Sequence, residues 1–289
     1  MFGPFRLGRA AAIAAALLAS PLSGLVAQSW DTDVAGAESC RAIWREFGRT
    51  MSGRPYAVHC EIREAGSFAP RGVIDVEGTE HHGVKVVGSQ RSDVRVRLVI
   101  QAQGQTVEDA RELARQVTID VTRVPLRADI PDVDDRRRNG RRFVAATVVI
   151  DAPIESNLSA RVRHAGLEVE NVRGRIDVLA EHGPLTLRDV GGDVRARSRH
   201  GPLSVRLTTS RWQGTGLDAV AAHGPMTLSV PRDFGAELEI GAEHGPLHVD
   251  FPLTLTRFDA SLIRTRLGAG GPRVRAIAEH GPMSLRMDR

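Results

Sequence analysis

Five histidines in the C-terminal half head the same short motif. They stand in His182-Gly183-Pro184-Leu185, His200-Gly201-Pro202-Leu203, His223-Gly224-Pro225-Met226, His244-Gly245-Pro246-Leu247 and His280-Gly281-Pro282-Met283. A worn copy, His164-Ala165-Gly166-Leu167, precedes them by another 18 residues. Imidazole is a ligand for zinc, copper and nickel. If units of this period stack in register, neighbouring imidazoles lie about 4.8 Å apart, close enough to raise a shared metal ion as one chemistry. The competing reading is structural, because histidine, like asparagine, enters left-handed turns more readily than most residues. No cysteine and no regular carboxylate completes a metal set, since the position before each histidine varies among Glu181, Arg199, Ala222, Glu243 and Glu279. A structural turn is the expectation. Metal binding by His182, His200, His223, His244 and His280 is the alternative.

The elements that must position these histidines are legible around them. Two, four and six places before the turn stand Ala180, Val178 and Ile176, then Ser198, Ala196 and Val194, and the later copies repeat this. Three and five places after it come Leu185 and Leu187, Leu203 and Val205, Met226 and Leu228, Leu247 and Val249, Met283 and Leu285. Alternation with period two on both sides of a corner gives strand, turn, strand. A fixed period of 18 to 23 residues marks stacked units. The sequence therefore predicts an all-β fold, a β-solenoid of strand–turn–strand repeats, regular from about Asn157. Structural glycines are expected in turns at Gly83, Gly166, Gly183, Gly201, Gly224, Gly245 and Gly281. Each is expected to hold a left-handed or similar conformation, and in the five His-Gly-Pro copies the proline launches the next strand.

Upstream, Arg6 and Arg9 precede an alanine- and leucine-rich run, and Leu25-Val26-Ala27 offers a small-residue cleavage site. Residues 1–27 read as a secretory leader, too short and too broken by Pro21 and Gly24 to span a membrane. No cysteine follows the site directly, so a lipid anchor is not expected. The formal net charge of +4 falls to +2 once Arg6 and Arg9 leave with the leader. The expected location is the periplasm or the cell exterior, with no transmembrane segment.

Residues 28–71 hold both cysteines, Cys40 and Cys60. In an oxidising compartment they are expected to form a disulfide, which would stabilise by roughly 3 kcal/mol on loop-entropy grounds. This segment reads as a stapled cap on the open N-terminal end of the stack. Residues 72–289 form the repeat domain. One helix is expected over Val107–Gln116, capped by Thr106 with Asp109 closing the capping box, and with Ala110, Leu113, Ala114 and Val117 on one face. Asn139-Gly140 reads as a hairpin tip before Phe143.

These strands, the helix after them, Trp212-Gln213-Gly214-Thr215-Gly216-Leu217-Asp218 and the late Leu267-Gly268-Ala269-Gly270-Gly271 resemble the bacterial DUF4097 family, provisionally named adhesins and related to head-GIN β-strand repeats. Such proteins usually carry Asn-Gly at the turn where this chain carries His-Gly. The resemblance covers about residues 72–289. It implies a β-solenoid at the cell envelope with no established catalytic residues and no cofactor.

No GxSxG, HExxH, Walker or dinucleotide-binding loop occurs. Arginines alternate with acids instead of clustering with aromatics, which is not the pattern of a nucleic-acid partner. The expectation is a non-catalytic envelope protein whose strand faces bind an envelope protein or a polysaccharide. A periplasmic metal-binding protein is the alternative. A β-helix carbohydrate-active enzyme comes third, because such enzymes gather acids and bases on one face, whereas Asp177, Asp189, Asp193 and Glu239 are dispersed. The ends of such a stack also offer surfaces for end-to-end association of chains.

Overall fold

A computed structural model describes residues 57–79, 82–133, 142–253 and 261–288. The expected leader, most of the expected cap with Cys40, and the Asn139-Gly140 tip lie outside the described residues.

Alternation sets the architecture. Strands β2 (Val73–Gly78), β8 (Asn157–Val162), β10 (Arg173–Ala180), β12 (Gly191–Ser198), β14 (Gly216–Ala221), β16 (Ala236–Ala242), β18 (Leu262–Leu267) and β19 (Arg273–Ala278) form one sheet. Strands β1 (Ala57–Phe68), β3 (His82–Ser89), β4 (Val94–Gly104), β7 (Phe143–Pro153), β9 (Leu167–Glu170), β11 (Leu185–Arg188), β13 (Leu203–Arg206), β15 (Met226–Val230), β17 (Leu247–Asp250) and β20 (Met283–Met287) form the other. Both are open, and both mix parallel and antiparallel pairs. A short pair, β5 (Thr118–Ile119) and β6 (Ala128–Asp129), stands apart.

Each histidine corner joins a strand of the first sheet to a strand of the second. Equivalent residues of successive units pair in parallel and in register: Ile176 with Val194, Val194 with Leu217, Leu185 with Leu203, Leu203 with Met226. The inward residues close one core between the sheets. Ala180, Ser198, Ala221, Ala242 and Ala278 before the corner, and Leu185, Leu203, Met226 and Met283 after it, are all buried. Large against small at each corner lets the chain turn within a thin, close-packed interior.

Two features depart from the sequence reading. First, the units do not stack in chain order. The last unit, β19–β20, lies between β14–β15 and β16–β17, with Ala276 paired to both Ala219 and Ile240. The 36-residue step from His244 to His280 includes β18, which runs antiparallel along the outer edge of β16. Second, among the described residues β17 ends its sheet with only β20 beside it, so Leu247 and Val249 are partly exposed where their counterparts are buried.

The helix α1 (Val107–Gln116) forms as expected. Thr106 Oγ1 accepts from the Asp109 N–H at 3.1 Å, and Ala110, Leu113, Ala114 and Val117 are buried against β4. Asp109 closes its half of the cap one residue early, accepting from the N–H of Gln105 at 3.0 Å, and also holds Arg142 at 2.6 Å. After the helix β5 stays short, because a turn begins at residue 121. Residues 57–68, expected within the cap, form β1 and pair antiparallel with β4, with Cys60 buried.

Candidate functional site

The corner is held on both sides by the neighbouring unit. The N–H of His182 donates to the Arg163 carbonyl at 2.7 Å, His200 to Glu181 at 2.8 Å, His223 to Arg199 at 2.8 Å, His280 to Ala222 at 2.8 Å and His244 to Glu279 at 2.9 Å. Past the proline, which has no N–H to lose, Leu185 donates to the Pro202 carbonyl and Leu203 to that of Pro225, both at 2.9 Å. The buried Ser198 hydroxyl donates to the Gly201 carbonyl at 2.7 Å, which satisfies the one polar side chain among the small positions before the corner.

The glycines are required here, though not for the expected reason. None of Gly166, Gly183, Gly201, Gly224, Gly245 or Gly281 has positive φ. A Cβ on Gly183 would overlap the Ala165 carbonyl oxygen, one on Gly201 that of Gly183, one on Gly224 that of Gly201, one on Gly281 that of Gly224, and one on Gly245 that of Gly281. Close approach of backbones, not a left-handed turn, excludes a side chain. Gly166 escapes the constraint, since the nearest atom to its Cβ would be Pro184 Cγ at 3.5 Å. Gly83 is not in a turn. It lies within β3, which continues through it because Gly83 is laddered to Thr147 of β7.

Among the described residues, the non-glycine residues with left-handed backbone are both at the opposite corner. Asn171 (φ 54°) and Asp189 (φ 49°) stand there, with Gly192 (φ 101°) and Gly214 (φ 133°). Asn171 Nδ2 donates to the Gly88 carbonyl at 2.9 Å, and Asp189 Oδ1 accepts from the Thr208 N–H at 2.6 Å and its hydroxyl at 2.9 Å. Asparagine and aspartate serve here because these residues enter the left-handed region more readily than most, and their short polar side chains bond to the neighbouring units.

Stacking places His164, His182, His200, His223, His280 and His244 in one exposed column, in that order. Ring centroids are 4.7, 4.9, 5.0, 4.8 and 4.7 Å apart, with interplanar angles of 6° to 28°. Nitrogen lone pairs lie in the ring plane, so parallel rings aim them side by side instead of at one point. Two zinc–nitrogen bonds of about 2.1 Å span at most about 4.2 Å. The column as it stands therefore offers no shared ion position. Among the described residues, no group of three or more His, Cys, Asp or Glu could hold a metal.

Beside the histidines runs a rank of exposed prolines, then a rank of hydroxyls, Thr186, Ser204, Thr227 and Ser284, in register and ending at His248. The rank before the histidines reads Arg163, Glu181, Arg199, Ala222, Glu279, Glu243. Arg199 and Arg163 reach Glu181 at 3.1 and 3.7 Å.

A second region was not legible in the sequence, because only the β16–β18 pairing creates it. A recess of about 490 Å³ at the sheet edge is lined by Glu237, Leu238, Glu239, Arg264, Thr265, Arg266 and Arg273. Its charges answer one another: Glu239 takes Arg273 at 2.5 Å and Arg264 at 3.6 Å, and Glu237 takes Arg266 at 3.6 Å. Burial pushes the Glu239 carboxyl up, but Arg273 and Arg264 outweigh it and hold the group below the usual carboxylate range. Asp218 behaves likewise, with burial opposed and overcome by Arg275 and Arg197. Such mutual pairing is what a solvated sheet face does with its charges.

No protein-family model matches the chain, and neither does any curated protein. Among solved structures, it is similar to a Clostridium sporogenes protein provisionally designated a cell adhesion protein, at 10% identity and a TM-score of 0.38, over 81% of this chain and 100% of that one. A Bacteroides fragilis protein provisionally designated an adhesin gives 9% identity and a TM-score of 0.37, over 82% and 98%. A Parabacteroides distasonis protein provisionally designated lipid binding gives 10% and 0.28, over 78% and 96%.

Proposed function

We propose that the chain is a non-catalytic, exported cell-envelope protein that binds an envelope polymer or protein partner through the regular outer surface of a β-solenoid. The observation that carries this reading is the corner surface. Its ranks of histidine, proline and hydroxyl side chains repeat from unit to unit, and repetition suits an extended ligand better than a single small molecule. The outward acids and bases nearby are spent on one another, as at Asp218 and Glu239. Among the described residues no helix is long and apolar enough to cross a membrane. The DUF4097 resemblance fits the same reading.

Export belongs to the proposal, with 1–27 as leader, 28–71 as an N-terminal segment stapled by Cys40 and Cys60, and 72–289 as the repeat domain. Alkylation and mass measurement of the exported chain without reductant should find both thiols bonded; two free thiols would remove the staple. The binding claim is tested by titrating labelled mature chain onto washed envelopes of the producing cell. Saturable binding, abolished by protease or by polysaccharide-degrading treatment, is expected. Absence of saturable binding to any envelope fraction would contradict it.

A further inference from the structure

We propose that the basic half of the histidine column binds a linear polymer carrying regularly spaced anionic groups, and that protonation of the imidazoles switches this binding on. The inference rests on the envelope-binding reading and names its ligand class.

The column is exposed, and its rings are stacked with parallel planes, so each unit presents one imidazole edge to solvent. Histidine is the side chain whose charge ordinarily changes between about pH 5 and 8. Protonated, the column becomes a line of like charges about one unit apart. Such charges repel along the line, and an extended polyanion relieves the repulsion while releasing its own counterions. Binding and protonation then favour each other by linkage.

The fixed charges select one half. Before His164 and His200 stand Arg163 and Arg199, both exposed, with Glu181 between them taking an ion pair from each. On the flank toward β8 and β12, the outward residues of the same units are Arg161, Leu179 and Arg197, the last paired with Asp218. The other flank offers the uncharged prolines and hydroxyls, with Glu168 at its upper end already held by Arg188. At the far end the sign reverses: Ala222, Glu279 and Glu243 precede His223, His280 and His244, and His248 lies beyond the hydroxyls. Histidines 164, 182 and 200 therefore sit in a surplus of arginine, and the last two in a surplus of glutamate. A polymer is favoured over a small anion because successive groups meet successive rungs, and each contact raises the effective concentration for the next.

The test uses mature chain with two probes, polygalacturonate for carboxylates and long-chain polyphosphate for phosphates, and dextran as the uncharged control. At least one anionic polymer should bind on the order of tenfold more tightly at about pH 5.5 than at about pH 8, and dextran at neither. The stronger probe tells a carboxylate polymer from a phosphate one. The triple variant His164→Asn, His182→Asn, His200→Asn should lose the pH dependence while keeping its Tm at about pH 8. Should the triple variant not fold, His182→Gln alone should weaken binding at the acidic pH only. Arg163→Gln with Arg199→Gln should weaken it at both. Binding that is equal at the two pH values, or unchanged in a folded triple variant, would overturn the proposal. If neither polymer binds while envelopes still bind saturably, this inference fails and the envelope reading stands; if envelopes fail too, both fall.

Discussion

The histidine corner and the corner opposite it, where Asn171 and Asp189 stand, turn the chain by different means. At the histidine corner the backbone stays out of the left-handed region, and glycine is needed because the preceding unit's carbonyl occupies the space of a Cβ. At the opposite corner Asn171 and Asp189 have room for side chains and use left-handed backbone, secured by hydrogen bonds to the units on either side. The histidine corner is constrained by close approach alone, whereas the opposite corner combines left-handed backbone with the same close approach, a Cβ on Gly192 meeting the Gly174 carbonyl oxygen. The comparison teaches that a repeated glycine reports a crowded position, and only the structure tells whether the crowding is local or comes from a neighbour.

The two corners should differ most at Gly201. Gly201→Ala drives a methyl into the Gly183 carbonyl and should cost about 3 kcal/mol or more, as overpacking against backbone does. Gly166→Ala, with 3.5 Å of clearance, should cost under about 1 kcal/mol despite its equivalent place in the motif. Equal losses at both sites, measured by chemical denaturation, would mean that conformation and not close approach selects glycine here.

At the other corner Asn171→Ala should cost about 1–2 kcal/mol, the penalty of a left-handed residue with an ordinary side chain, plus the lost bond to Gly88. Asn171→Gly should recover most of it, since glycine adopts that backbone freely. An alanine variant as stable as the glycine variant would show that the corner relaxes.

A smaller effect, with a defined pH window, belongs to Asp218. Its folded-state carboxyl is held below the ordinary value by Arg275 and Arg197 against burial. The stability it contributes is thus present above the unfolded carboxylate value of about 3.9 and lost as pH falls through the folded value. The Tm gap between wild type and Asp218→Asn should be full at neutral pH and close as pH drops below about 4. A gap that persists into acid would assign the residue's contribution to packing.

The smallest change expected is His200→Asn, within about 0.5 kcal/mol at neutral pH, because the ring is exposed and the backbone bond to Glu181 survives. A larger loss would make the ring stack itself a stabilising element.

Much of this organisation was written in the residues. Alternation around each corner placed β10 to β15 and their buried positions, and Thr106 with Asp109 marked the start of α1. The order of the units was not legible. Val274, Ala276 and Ala278 match β14 and β16 equally well, so parallel in-register pairing carries no label of which unit lies next. The left-handed corner was missed for a similar reason: Asn171 and Asp189 are single residues in short links, without the repetition that made the histidines visible. The arginine surplus around Arg163 and Arg199 appears only when residues 18 or more apart in sequence become neighbours in space.

That order is also where the account is most exposed. Thr227 pairs with Ser284, whereas His248 is one unit further away beyond Ser284. Cysteines on adjacent parallel strands lie within disulfide reach, and those two strands apart, about 9.6 Å, do not. Mild oxidation followed by mass measurement should therefore join Thr227→Cys to Ser284→Cys, and leave Thr227→Cys with His248→Cys unbridged. A bridge in the second pair and none in the first would place the units in chain order and contradict the stacked column described here.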